Sequence, residues 1–174
     1  MPILPVTVPK LLGFARSANG NESDEGMRRM RVGLAQTVLP RFADLLNDPQ
    51  LLADPYRRRH RRHTASVLAG IQRMLEVRTT HQDLAVGIEL LLLPELSIHP
   101  SDVRPLLVPF VMQNRCILCA GLVFRPADDG DGTLVNGAAW IIPVRRPTGG
   151  LDVQIVYQGK QHMTGHERTL GIMP

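Results

Sequence analysis

The segment 86–95, Val-Gly-Ile-Glu-Leu-Leu-Leu-Leu-Pro-Glu, decides the fold. Residues 86–93 form a nearly continuous apolar run that ends at Pro94, the pattern of a strand buried on both faces. Such strands belong to sheets that carry helices, so the flanking segments should alternate between the two kinds of element. Upstream, residues 56–78 place Val67, Leu68, Ile71, Met74 and Leu75 at helical spacing, a stripe that packs on a sheet. Residues 40–55 hold three prolines and Asp/Asn turn clusters, which predicts a long connection with one short helical turn. Further upstream, RVGLAQT at 31–37 suits a first strand, with Val32 and Leu34 expected on opposite sides of a sheet covered on both faces.

Downstream, residues 101–114 predict a second helix with Ser101 as N-cap and Pro105 in its first turns. Two strands are expected at 116–124 and 134–142, joined by the loop PADDGDGT, and a last one at 153–158 after the turn PTGG. The order is strand, helix, strand, helix and then three strands whose connections are too short for crossover helices. That order defines an α/β fold with a mixed sheet. Residues 17–26, SANGNESDEG, lack any hydrophobic period, so residues 1–26 read as a flexible arm and linker and 27–174 as the folded domain.

Composition limits the function. The 174 residues are 44% hydrophobic and 21% charged, which suits a soluble globular chain with one core. No apolar run reaches the roughly 18 residues of a membrane span, so no membrane partner is expected. The prolines at 2, 5 and 9 and the lack of a basic stretch before an apolar one argue against a secretory signal. Two cysteines cannot make a disulfide framework, and together these features point to the cytoplasm. The net charge of +4 is almost wholly arginine, because lysine occurs only at 10 and 160.

Several motifs are weaker than they look. CILC at 116–119 matches C-x-x-C, but on a strand its odd spacing sends the thiols to opposite faces, so core packing is the better reading. HMTGHE at 162–167 does not put its glutamate between the histidines, and DDGDG lacks the terminal glutamate of a calcium loop. No metal or other cofactor is expected. RRRHRR at 57–62 opens a helix against an unfavourable macrodipole. Its arginines, Arg57, Arg58, Arg59, Arg61 and Arg62, read first as a solvated face neutralising Asp44, Asp48 and Asp54, and second as a nucleic-acid contact.

The informative residues are spread over the second half. Glu95 closes the buried strand, where ligands bind in open α/β sheets. Lys160 stands just past the last strand and Glu167 seven residues on. In this order, LLLPELS, LVNGAAWIIP and GKQHMTGHE resemble motifs of the nitrilase, or carbon–nitrogen hydrolase, superfamily, and RVGLAQT resembles its opening strand. The resemblance covers about residues 30–170 and implies the N-terminal portion of a nitrilase-like α-β-β-α sandwich. It assigns Glu95 as general base, Lys160 as the oxyanion-stabilising ammonium and Glu167 as the residue that positions the lysine or the leaving amine. Asn136 and His162 become substrate-binding residues, with Gly137 where the family has serine.

By the same resemblance the substrate is a non-peptide amide or nitrile, and the protein a homo-oligomer. The family's nucleophilic cysteine lies beyond the lysine motif, and neither Cys116 nor Cys119 matches its position, so the resemblance implies a truncated domain lacking the nucleophile. The alternative is a binding or interaction module that keeps the fold without turnover. Nitrilase-like domains fused to reverse transcriptases would give RRRHRR such a context.

Overall fold

In a computed structural model, the described residues are 30–82, 87–127, 130 and 132–173. The expected arm and linker at 1–26 lie outside them, as do parts of the PADDGDGT loop. The chain runs β1 (Val32–Leu34), α1 (Phe42–Asn47), α2 (Asp54–Gln82) and β2 (Leu90–Ile98). It continues through α3 (Val108–Asn114), β3 (Ile117–Leu122), β4 (Arg125–Pro126), β5 (Leu134–Val135), β6 (Gly137–Arg145), β7 (Leu151–Gly159), α4 (Gly165–Thr169) and β8 (Ile172–Met173). The main sheet has the order β1-β2-β3-β6-β7, and a small sheet has the order β4-β5-β8. β1, β2 and β3 are parallel, whereas β3, β6 and β7 are antiparallel. The fold is therefore mixed α/β with a mixed sheet, and the switch from parallel to antiparallel falls where the connections become too short for a crossover.

The helical stripe behaves as its spacing predicts. Leu68 and Leu75 are buried, and Ile71 packs on the core that Leu91, Leu93, Leu118 and Ile141 build from the sheet. Met74, at the stripe's margin, is exposed. The helix also extends beyond the expected 56–78, because Asp54 and Pro55 suit a first turn, one by its charge and the other by its fixed φ.

Four expectations are corrected. β1 is three residues long, and Val32 and Leu34 share one exposed face, since residues two apart on a strand point the same way and β1 is an edge. The expected single helix at 101–114 is split into a 3-10 turn at Pro100–Asp102, a π-helical segment at Val103–Leu107 and α3, and the cap is His99, whose Nδ1 accepts from the Ser101 N–H. The Pro105 and Pro109 rings remove two N–H donors and break the regular ladder there. The hairpin is divided between the two sheets, β3 pairing with β6 and β4 with β5.

The fourth correction bears on function, because β2 does not stop at Pro94. Its register with β3 jumps from Leu93↔Ala120 to Ile98↔Leu122, so residues 94–97 stand opposite the single residue Gly121. This is a bulge, and Leu96 within it has φ +57°, the left-handed conformation that a branched side chain rarely takes. Pro94 is tolerated because bulged backbone has no ladder bond to lose.

Candidate functional site

The bulge lifts Glu95 out of the β2–β3 ladder. Gly121 permits this, since a Cβ there would run into the Glu95 Cα and stand 2.7 Å from the Pro94 carbonyl oxygen. The buried Ser97 hydroxyl then donates to the Gly121 carbonyl at 3.1 Å and ties the far side of the bulge to β3.

Opposite Glu95, the β6–β7 hairpin delivers two further residues. Asn136 lies between β5 and β6, and its carbonyl accepts from the Lys160 N–H at 2.9 Å, which fixes the lysine just past β7. Gly137 pairs with Gly159, and a Cβ on Gly137 would come within 2.5 Å of the Gln158 carbonyl oxygen. That contact accounts for glycine where the resembled motif has serine. Glu167 comes from α4, a short helix absent from the sequence expectation. Thr164 and Glu167 form its capping box, the Thr164 N–H donating to Glu167 Oε2 at 2.7 Å and the Glu167 N–H to Thr164 Oγ1 at 3.3 Å. The T-x-x-E spacing at 164–167 was the available signal for this helix.

These residues converge. Lys160 Nζ donates to Glu95 Oε1 at 2.7 Å and lies 3.0 Å from each oxygen of Glu167. Asn136 Nδ2 donates to Glu95 Oε1 at 2.6 Å and also to Glu167 Oε1. One ammonium and one amide therefore bridge two carboxylates, and the cluster of Glu95, Lys160 and Glu167 carries a net charge of −1.

The two carboxylates differ. Burial alone would raise the Glu167 carboxyl, whose side chain is only 8% exposed, but hydrogen bonds from the Thr164 N–H, Asn136 and Lys160 outweigh it and hold it at about 2. Glu167 is thus a fixed anion at neutral pH. Glu95, by contrast, is 53% exposed, although the strand that carries it is buried on both sides of the bulge. Burial opposes the charge of Lys160, yet the hydrogen bonds of Glu95 and Glu167 raise it above its ordinary value, so it remains an ammonium.

The cluster borders a cleft of about 310 Å³, lined by Glu95, Lys160, Asn136, Gln158 and Cys119 among others. Cys119 therefore faces a cleft, whereas Cys116 belongs to the core. Burial raises both thiols, Cys116 to about 11. Neither sulfur hydrogen-bonds to the charged cluster.

The remaining site expectations fare differently. Asn136 is buried with its amide turned to the two carboxylates, so it holds the cluster together. His162 is exposed, does not line the cleft and makes no hydrogen bond or ion pair with Glu95, Lys160 or Glu167. The arginine run is not one free face. Arg57 pairs with buried Asp102 and donates to Ser101 Oγ, Arg61 stands 3.5 Å from the same aspartate, and Arg58 pairs with Asp54 at 2.8 Å. Asp44, expected to neutralise the run, is taken by Arg41, and Asp48 accepts from the Ala53 N–H. Among the described residues no group of three or more His, Cys, Asp or Glu could hold a metal ion, and no helix is long and apolar enough to cross a membrane.

No family model matches the chain, and no curated protein does. Among solved structures, it is similar to the crystal structure of a carbon-nitrogen hydrolase from Helicobacter pylori G27, at 14% identity and a TM-score of 0.44, over 83% of this chain and 44% of that one. The chain thus spans less than half the length of that protein.

Proposed function

We propose that the chain supplies the charged half of a carbon–nitrogen hydrolase site acting on a non-peptide amide or nitrile. The observation that supports this reading is Lys160 Nζ held 2.7 Å from Glu95 and 3.0 Å from both oxygens of Glu167, beside an open cleft. Glu167, held at about 2, does not accept a proton near neutrality, which leaves Glu95 as the base. A proton arriving on Glu95 neutralises the cluster's net charge of −1.

Coupled steps follow. For an amide, as a thiol attacks the substrate carbon, its proton passes to Glu95 and the carbonyl π electrons move to oxygen. Protonated Glu95 is a weaker acceptor, so the Lys160 N–H it held becomes free for that oxyanion. The same proton then goes to the leaving amine as the C–N bond breaks, and Glu95 next deprotonates the water that attacks the thioester and returns that proton to the departing thiolate as the C–S bond breaks. Glu167 and Asn136 are positioning residues, because they act through Lys160 and Glu95.

A second reading, a binding module without turnover, is favoured by one feature: neither thiol of the chain is hydrogen-bonded to the cluster. Ammonia release from a panel of small amides and nitriles, using protein expressed from its full reading frame, separates the two. Turnover abolished by Glu95→Gln supports the hydrolase. Saturable binding of the same compounds without turnover supports the module, and absence of both rejects each reading.

A further inference from the structure

The floor of the cleft beside Glu95 is one row of the main sheet. Gly121 pairs with Ala138 and Ala138 with Gln158, so the three stand side by side across β3, β6 and β7 and present the same face. Neighbouring strands lie about 4.8 Å apart, which puts Gln158 roughly 10 Å from Gly121 with only the Ala138 methyl between them. The backbone of Glu95 stands over the Gly121 end, and Gln158 bounds the other.

A carbonyl entering this trough needs a donor, and the charged cluster has none to spare. The three protons of Lys160 Nζ have acceptors in Glu95 Oε1 and both oxygens of Glu167, and the two of Asn136 Nδ2 in Glu95 Oε1 and Glu167 Oε1. Of the side chains that line the cleft, Gln158 alone keeps N–H donors without a partner among the described residues. Its orientation is set by Trp140, whose Nε1–H can only donate and lies 2.9 Å from Gln158 Oε1. Trp140 is two residues along β6 from Ala138, on the same face, and does not line the cleft. The amide oxygen is therefore held at the indole and the Nε2 protons are turned away from it. Gln158 is exposed, so those protons are open to a ligand.

We infer that Gln158 Nε2 docks the carbonyl oxygen of the substrate, that Trp140 is the residue positioning it, and that the site takes carboxamides in preference to nitriles. The inference rests on the hydrolase reading above. A carbonyl oxygen has two lone pairs, so it keeps the Gln158 bond while the Lys160 N–H released by protonation of Glu95 joins it. A nitrile nitrogen has one lone pair, along the C≡N axis, and cannot hold both donors. The two bonds act at different stages. The Gln158 bond forms on docking and persists, so its loss appears in KM, whereas the Lys160 bond forms only as charge develops, so its loss appears in kcat.

The test uses protein from the full reading frame with isobutyramide and isobutyronitrile, reading the Gln158 side-chain NH2 by ¹⁵N NMR and ammonia release separately. The amide should shift the Gln158 NH2 signals saturably, and the nitrile should do so more weakly. Gln158→Met keeps the length and removes the donor, and should raise KM for the amide about threefold to tenfold, the worth of one neutral hydrogen bond, with kcat changed by less than about twofold. Trp140→Phe, which loses only the orienting N–H, should raise KM by less. Gln154→Met, exposed on the same strand and outside the cleft, should change neither constant. Amide turnover with KM unaltered by Gln158→Met, or a nitrile handled as well as the amide, would overturn the inference and leave the hydrolase reading standing. Absence of turnover with either compound would reject the hydrolase reading; saturable NH2 shifts with the amide would then still support docking at Gln158, and their absence would overturn it.

Discussion

Replacing Glu167 by glutamine removes the fixed anion from the cluster while keeping its size and one acceptor oxygen. The carboxyl is brought from an ordinary 4.5 to about 2 in the folded protein. Each tenfold change in acidity is worth about 1.4 kcal/mol, so the ionised form contributes at most about 3 kcal/mol of stability. The sign follows from the direction. Because the folded value is depressed, the stabilisation is complete above 4.5, declines as pH falls from 4.5 towards 2, and is absent below. Urea unfolding should therefore show Glu167→Gln less stable than the wild type by up to about 3 kcal/mol at pH 7, with the gap closing between pH 4.5 and 2. A variant as stable as wild type at pH 7, or a gap that persists unchanged to pH 2, would refute the reasoning.

Two further outcomes test the surrounding framework. Gly121→Ala puts a methyl against the backbone of the bulge, so it should destabilise by about 1–3 kcal/mol in thermal unfolding and displace Glu95 from Lys160; unchanged stability would mean that the approach is not close. Arg57→Ala leaves the buried Asp102 carboxylate with only the longer 3.5 Å pairing to Arg61 and should cost up to about 3 kcal/mol, whereas Arg58→Ala, removing an exposed pair, should cost well under about 1 kcal/mol, and equal losses in denaturant titrations would contradict the assignment.

Much of the fold is legible in the sequence because hydrophobic period and loop length determine it. The stripe Leu68–Ile71–Leu75 and the run Leu90–Leu93 place one helix on one sheet, and the short connections after residue 116 force antiparallel strands. What escaped was set by tertiary fit. The bulge at 94–97 exists because Gly121 lets backbone approach backbone, and nothing local to Leu96 announces a positive φ. Motif order singled out Glu95, Lys160 and Glu167, which the structure brings together, whereas which of the two carboxylates is buried depends on how α4 packs. The arginine run concealed different situations, a buried pair at Arg57, a surface pair at Arg58 and, among the described residues, no ion pair at Arg59, because partners more than 40 residues away, such as Asp102, leave no local trace.

The claim that Glu95 and Lys160 serve one chemical step is tested most directly by a double-mutant cycle on cysteine acylation. Protein from the full reading frame is treated with an activated acyl ester, and the rate of labelling is followed by mass spectrometry of the cysteine peptides. Glu95→Gln and Lys160→Ala should each slow labelling by about 10² to 10⁴. The double variant should fall well short of the product of the two losses, because both residues act on the same proton transfer and oxyanion. Labelling that ignores both substitutions, or losses that multiply in full, would contradict the account.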